Sequence, residues 1–331
     1  MVLSTLGPVA LIALVMHAGK QSSQRTKLKL KVVASLVGVL SILLIYRFTP
    51  SFFTLANAIN LLRQVAINGI IASGMTIVMI GGGFDLSVGA ILAVTGVLSI
   101  QWAKSDAWLG MLCPVALGAG AGLVNGILIS RFAINPLIVT LGSRYLVYAS
   151  ANLLTSGFIQ YNENPAFLML GRGRVGIVPA PVIVFLSIAL ISHLLLNHTT
   201  AGAALFAVGS NERAAFFSGL PSRRLRALTY AATGACAAVA GVVLASRLGV
   251  ASPDAGDGYE LDAIAAVVIG GTSMFGGSGG VGRTIAGVLL LGVLTNVLIL
   301  AGQSYEAQRI ASGVIIISAV AFDAYRRGLA R

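Results

Sequence analysis

Charge is the scarcest property of this sequence. Only 10% of its residues are Asp, Glu, Lys or Arg, while 57% are hydrophobic. A soluble domain carries about 25% charged residues. This chain therefore cannot cover a globular surface with polar side chains, and it reads as an integral membrane protein. Acids are rarer still, with 10 Asp and Glu against 22 Lys and Arg, a formal net charge of +12. In a membrane protein such an excess belongs to cytoplasmic loops, and no nucleic-acid partner is expected. Cys113 and Cys236 lie in apolar runs without metal-ligand spacing and read as inert packing residues. His17, His193 and His198 form no cluster. No catalytic residue, metal or cofactor is expected.

Glycine and long apolar runs are what the chain has in plenty. Its 40 glycines suit membrane helices that approach closely. The first apolar run, Val9–Met16, is too short to span a bilayer, and its basic neighbours follow it instead of preceding it as in a signal peptide. Residues 1–31 are read as a basic, interfacial segment. A membrane domain is expected to cover 32–325 and a cytoplasmic tail 326–331. Spans are expected at 32–48, 60–82, 87–102, 108–130, 136–157, 177–197, 226–247, 259–276, 282–302 and 306–325, about ten helices in an all-α polytopic fold. With the N-terminus inside, most Lys and Arg fall on cytoplasmic segments: Lys20 to Lys31, Arg131, Arg213, Arg223, Arg224, Arg226, Arg283 and the C-terminal arginines. That bias puts both termini in the cytoplasm.

The stretch 277-GSGGVGRT-284 comes close to the phosphate-binding pattern G-x-x-x-x-G-K-S/T, with Arg283 in place of the lysine. Such a loop needs a strand before it and a helix after it, so that backbone N–H groups converge on phosphate. Here a membrane helix precedes it and no acidic strand end follows. The stretch reads as a close-packed turn.

The polar interruption at 198–225 is expected to be cytoplasmic. Within it, 211-NERAAFFSGLP-221 reads as a short helix lying along the membrane surface. Asn211 is the N-cap, Glu212 complements the positive end, and Gly219 with Pro221 ends it. Physics alone allows either an interfacial connector or a partner-docking element. Polar groups at membrane depth are costly, which singles out Asp85, Ser87, Asn125, Asn135, Thr140, Glu260, Asp262 and Asn296 as candidates for a translocation path or gate. The bland alternatives are interhelical hydrogen bonds, caps and ion pairs.

Four stretches carry a resemblance to a known family. The segment 207-AVGSNERAAFFSGL-220 resembles the A-x-G-x-N-E-x-A-A-x-x-S-G-I pattern of the ribose-type sugar permeases of ABC transporters. The stretch 74-GMTIVMIGGGFDLSVGAILA-93 is similar to that family's G-M-T-x-V-I-x-x-G-G-I-D-L-S-V-G, and 135-NPLIVTLGSRYLVYA-149 to its N-P-F-I-V-T-L-G motif. The run 256-GDGYELDAIAAVVIGGTSMFGGSGGVGRTIAGVL-289 is similar to its G-x-G-Y-E-L-D-A-I-A-A-V-V-L-G-G-T-S pattern, which absorbs the glycine-rich stretch. The departures are Phe84 for isoleucine, Arg144 within an apolar helix, and the bulky Phe216 and Phe217.

The resemblance implies a permease of a bacterial inner-membrane sugar importer. Two permease subunits, either copies or paralogues, would sit in the lipid bilayer. ATPase subunits would dock below, and a periplasmic sugar-binding protein above. It also implies that Asn211, Glu212, Arg213, Ala214, Ala215 and Gly219 couple the ATPase to the membrane helices. Two rivals stand beside it. An ion-gradient-driven secondary transporter would use Asp85 and Asp262, and an intramembrane enzyme would need paired catalytic residues that the spacing does not supply.

Overall fold

A computed structural model describes residues 49–328. The expected segment 1–31, the expected span at 32–48 and residues 329–331 lie outside the described residues. Two compact units are found, residues 62–290 and, separately, the described parts of 1–61 with 291–331.

After a short 3-10 turn (Pro50–Phe53) come α1 (Leu55–Ile80), α2 (Val88–Trp102), α3 (Ala107–Phe132) and α4 (Pro136–Thr155). Then follow β1 (Gln160–Tyr161), α5 (Pro165–Arg172), β2 (Arg174–Val175) and β3 (Val178–Pro179). The chain continues with α6 (Ala180–His198), α7 (Thr200–Ser210), α8 (Glu212–Phe217), α9 (Ser222–Leu248) and β4 (Val250–Ala251). It ends with α10 (Tyr259–Ile269), α11 (Val281–Leu300) and α12 (Tyr305–Gly328). Six of these helices, α1, α3, α4, α6, α9 and α11, are long and apolar enough to cross a membrane. Several helices start where a short polar side chain satisfies a free N–H group. Asp106 accepts from Leu109 N at 2.8 Å, Asn135 from Leu137 N at 2.9 Å, and Thr199 from Gly202 N at 3.1 Å.

One expectation needs correction, and two features were not expected. The span placed at 259–276 is an 11-residue helix, α10, that stops at Ile269. Gly270 and Gly271 follow, the latter with φ +83°, and only glycine takes that backbone without strain. The connector at 198–225 holds a second helix, α7, whose small and apolar residues were too few to suggest a span. The stretch between α4 and α6 is also structured. There β1 pairs antiparallel with β4 (Gln160 opposite Ala251), and β2 with β3.

In unit 62–290, α9 is the hub. It packs on α3, α2, α5 and α7, and most of its length from Thr229 to Ser246 is buried. The contact with α3 is glycine-built. Gly118, Gly122 and Gly126 lie one turn apart on one side of α3. A Cβ added at Gly122 would stand 2.2 Å from the Tyr230 carbonyl oxygen, and one at Gly126 would stand 2.5 Å from that of Ala227. From the α9 side, a Cβ on Gly234 would meet Gly118 O at 2.3 Å. The two backbones thus touch, a packing mode suited to a membrane, where apolar side chains gain nothing by leaving lipid. On the other side of α9, Thr233 donates to Gly74 O of α1 at 2.9 Å.

The end of α9 is closed by a small core of Val97, Ile100, Phe167, Val242 and Ala251. It is stitched by Ser246, which donates to Phe167 O at 2.6 Å, and by Arg172, which donates to Leu248 O at 2.8 Å. In the other unit, Asn57 and Asn296 exchange two amide hydrogen bonds of 2.8 and 2.9 Å.

Candidate functional site

The short helix α8 is the first candidate. Asn211 Oδ1 accepts from Ala214 N at 3.0 Å and so caps it, and Gly219 leaves it at φ +80°. Ala215 is buried at 5% exposure, whereas Phe216 and Phe217 are exposed at 58% and 84%. Glu212 Oε2 accepts from Arg226 on α9 at 2.7 Å, which ties this short helix to the hub. Glu212, Arg213, Phe216, Phe217, Ser222 and Arg223 line an open groove. The groove thus combines two exposed aromatic rings with charges of both signs.

The glycine-rich stretch meets this elbow. Gly277 N donates to Ile80 O at the end of α1 (2.9 Å), and Ser273 N to Ser278 O (2.9 Å). A Cβ on Gly209 would lie 1.8 Å from Ile80 O and 2.7 Å from Gly277 N. Three backbones, from α1, α7 and the turn between α10 and α11, therefore meet with no room for a side chain. The N–H of Gly277 points to a carbonyl inside the fold, so this donor serves the joint and is not offered to a phosphate.

The second candidate is a buried polar cluster. Asp85 Oδ1 accepts from Ser87 N at 2.9 Å and from Ser87 Oγ, and Asn125 Nδ2 donates to Ser87 Oγ at 3.0 Å. Asp85 and Ser87 are fully buried and Asn125 is 2% exposed. The turn before α2 is thereby fixed to α3.

The third is an ionic cluster. Arg144, the charge in an apolar helix, donates to Asp257 at 2.7 Å and pairs with Glu260 at 3.1 Å. One turn further along α4, the Tyr148 hydroxyl donates to Asp254. Glu260 is 2% exposed. The N–H groups of Gly258 and Glu260 lie near its carboxylate, yet its Oε2 accepts no hydrogen bond of normal geometry. A Cβ on Gly89 would fall 2.3 Å from that oxygen and 2.4 Å from Gly256 O. The N-termini of two short helices, α2 and α10, thus abut around Glu260. At 15 and 11 residues, each is shorter than the roughly 20 residues a bilayer demands.

The structure therefore gathers Asp85, Ser87 and Asn125 in one place and draws Glu260 into another. Asp262 is half-buried in the first turn of α10. The remaining candidates each make a structural hydrogen bond. Asn135 caps α4, Thr140 donates to Pro136 O within its own helix at 2.9 Å, and Asn296 pairs with Asn57. Tyr148, Asp254, Asp257 and Arg226 were missed as site residues. Only Arg144, by its anomaly, signalled that acids had to lie opposite it.

The family of branched-chain amino acid transport system / permease components matches residues 57–320. The ribose import permease protein RbsC of Bacillus subtilis is 42% identical over 85% of this chain and 89% of its own length. Its namesake in Escherichia coli K12 is 38% identical over 91% and 93%. The L-arabinose transport system permease protein AraH of Escherichia coli K12 is 36% identical over 85% and 86%. No solved structure matches the chain. With the family pattern spanning most of the described helices, including the elbow at α8, this chain belongs to the family of transport-system permease components.

Proposed function

We propose that the chain is the membrane-spanning permease subunit of an ATP-driven importer for a sugar. The observation that carries this reading is its 36–42% identity, over most of its length, to ribose and arabinose permeases. That likeness favours a sugar over the branched-chain amino acid of the family description. The chain is a transport subunit, and ATP hydrolysis belongs to a separate cytoplasmic partner. A periplasmic binding protein selects and delivers the sugar. Two permeases, copies or paralogues, enclose the path in the bacterial inner membrane, each with about ten membrane helices, of which α2 and α10 cross only in part, and with both termini in the cytoplasm.

In this reading α8 is the element the ATPase moves. Asn211 and Gly219 define its two ends, and Ala214 and Ala215 allow close approach. Phe216 and Phe217 fill the partner's groove, with Glu212 and Arg213 at its edge. A push on a short rigid helix reaches the hub through Glu212 and Arg226. It reaches α1, α10 and α11 through the Gly209–Gly277 joint, whose backbone contacts transmit displacement as a rigid body. Asp85, Ser87 and Asn125 hold the start of α2, while Glu260 and Asp262 face the path at the start of α10. The cap Asn135 and the hydroxyl Thr140 complete the path set of this unit, and Asn296, paired with Asn57 in the other unit, is a separate candidate.

The test is affinity isolation of the tagged, detergent-solubilised chain from its native membrane, followed by mass spectrometry. An ATPase and a periplasmic sugar-binding protein should accompany the wild type, and Glu212→Arg should release the ATPase. Sugar uptake that proceeds in liposomes holding this chain alone would overturn the reading in favour of a secondary transporter.

A further inference from the structure

The charged residues on α4 and on the loop into α10 form a single row. The 20 residues of α4 extend about 30 Å, and Arg144 lies near the middle of that span. A charge at this depth must face protein or a water-filled cavity. Arg144 and Tyr148 occupy the side of α4 that also carries buried Thr140, Ala151 and Thr155, while Ile138, Leu146 and Leu153 project elsewhere. Against this side stand Asp254, Asp257 and Glu260, three residues apart in sequence.

Three carboxyl groups thus meet one guanidinium and one phenol. The side chains of Arg144 and Asp257 remain 34% and 52% exposed, so the row opens beyond its own ion pair. At its inner end Glu260 keeps a buried oxygen with no hydrogen bond. A buried acceptor of this kind is rare in a finished structural ion pair, and it sits where two helix N-termini converge.

We propose that Arg144, Tyr148, Asp254, Asp257 and Glu260 form a contact site for a neutral, polyhydroxylated substrate on its way through the membrane. This rests on the importer reading and deepens it. Carboxylates accept hydrogen bonds from sugar hydroxyls, and Arg144 and Tyr148 donate to ring and hydroxyl oxygens. The excess of carboxyl groups repels anionic sugars. The ion pairs hold Arg144 between passages, and the sugar's hydroxyls exchange with them during passage.

The experiment is a cycle between variant and substrate in liposomes holding the complete importer. The sugar is whichever of D-ribose, L-arabinose and D-allose the wild type moves. Its uptake is compared with that of its monodeoxy analogues at saturating, loaded binding protein. Each variant gives its own ratio, so partial loss of folded protein cancels. Removing a substrate hydroxyl should slow the wild type by about tenfold at the position that meets the row. In Asp257→Asn or Tyr148→Phe that penalty should shrink at least threefold. Ratios identical to wild type in both variants would overturn the contact site and leave the importer reading standing. Sugar uptake by the wild-type chain without its ATPase would bring down both.

Discussion

Replacing Gly122 by alanine tests whether α3 and α9 are held by backbone contact. A Cβ there would stand 2.2 Å from the Tyr230 carbonyl oxygen, with Tyr230 C at 2.9 Å and Gly234 Cα at 3.2 Å. No side chain can swing aside, because all three atoms are backbone. The helices must part by about 1 Å to restore van der Waals separation. Overpacking of this kind costs about 1–3 kcal/mol, and the upper half of that range applies where the obstacle is main chain. Alanine's better helix propensity returns about 1 kcal/mol. Gly120 is the internal control, since it lies on the same helix with nothing within 4 Å of an added Cβ. Gly120→Ala gains the propensity without the clash, so the two variants should differ by about 2–3 kcal/mol, or on the order of 5 °C in melting temperature. The readout is built in. Cys236 on α9 is 9% exposed, so in a Cys113→Ser background a thiol-reactive fluorophore reports the melting of the hub. Gly122→Ala melting with or above Gly120→Ala would refute the backbone-contact account.

Further outcomes follow from single contacts. Asn57→Leu should destabilise the protein by about 1 kcal/mol by stranding the Asn296 amide, and the double variant Asn57→Leu/Asn296→Leu should recover most of that by the same melting assay. Asn125→Leu removes the bond that holds Ser87 beneath Asp85 and should cost about 1–3 kcal/mol; an unchanged melting temperature would mean the turn before α2 is held by other contacts. Gly219 has φ +80° and open space around it, so strain is the only penalty. Gly219→Asn should therefore retain more sugar-stimulated ATP hydrolysis than Gly219→Val.

The local features were legible because they are written in neighbouring residues. The Asn211 cap, the Gly219 exit and the Pro136 start of α4 each depend on a few adjacent positions, and the structure has them where the spacing puts them. The helix α7 was hidden because 200-TAGAALFAVGS-210 has too few residues to span and too many small ones to stand out. The early end of α10 was hidden for the opposite reason. Apolar residues continue through Met274 and Phe275, and the run of hydropathy outlasts the helix that glycines terminate. The ionic row was beyond reach, since Arg144 and Asp257 are 113 positions apart and nothing local specifies that pairing. The repeated glycines of α3 were visible as a close-packing signal, but the partner face on α9 has only Gly234 to announce it.

The abutting N-termini of α2 and α10 also set a timetable for biosynthesis. Gly89 is made about 170 residues before Glu260, and ribosomes add roughly 5–20 residues per second. For about 10–30 s the start of α2 is complete while the loop that closes over it does not yet exist. Neither short helix is long enough to be retained by the lipid on its own account, so α2 must wait beside α1 and α3 until Gly256 arrives. Nascent chains that end before that residue should therefore be handed to membrane quality control, even though every preceding long span has already been inserted.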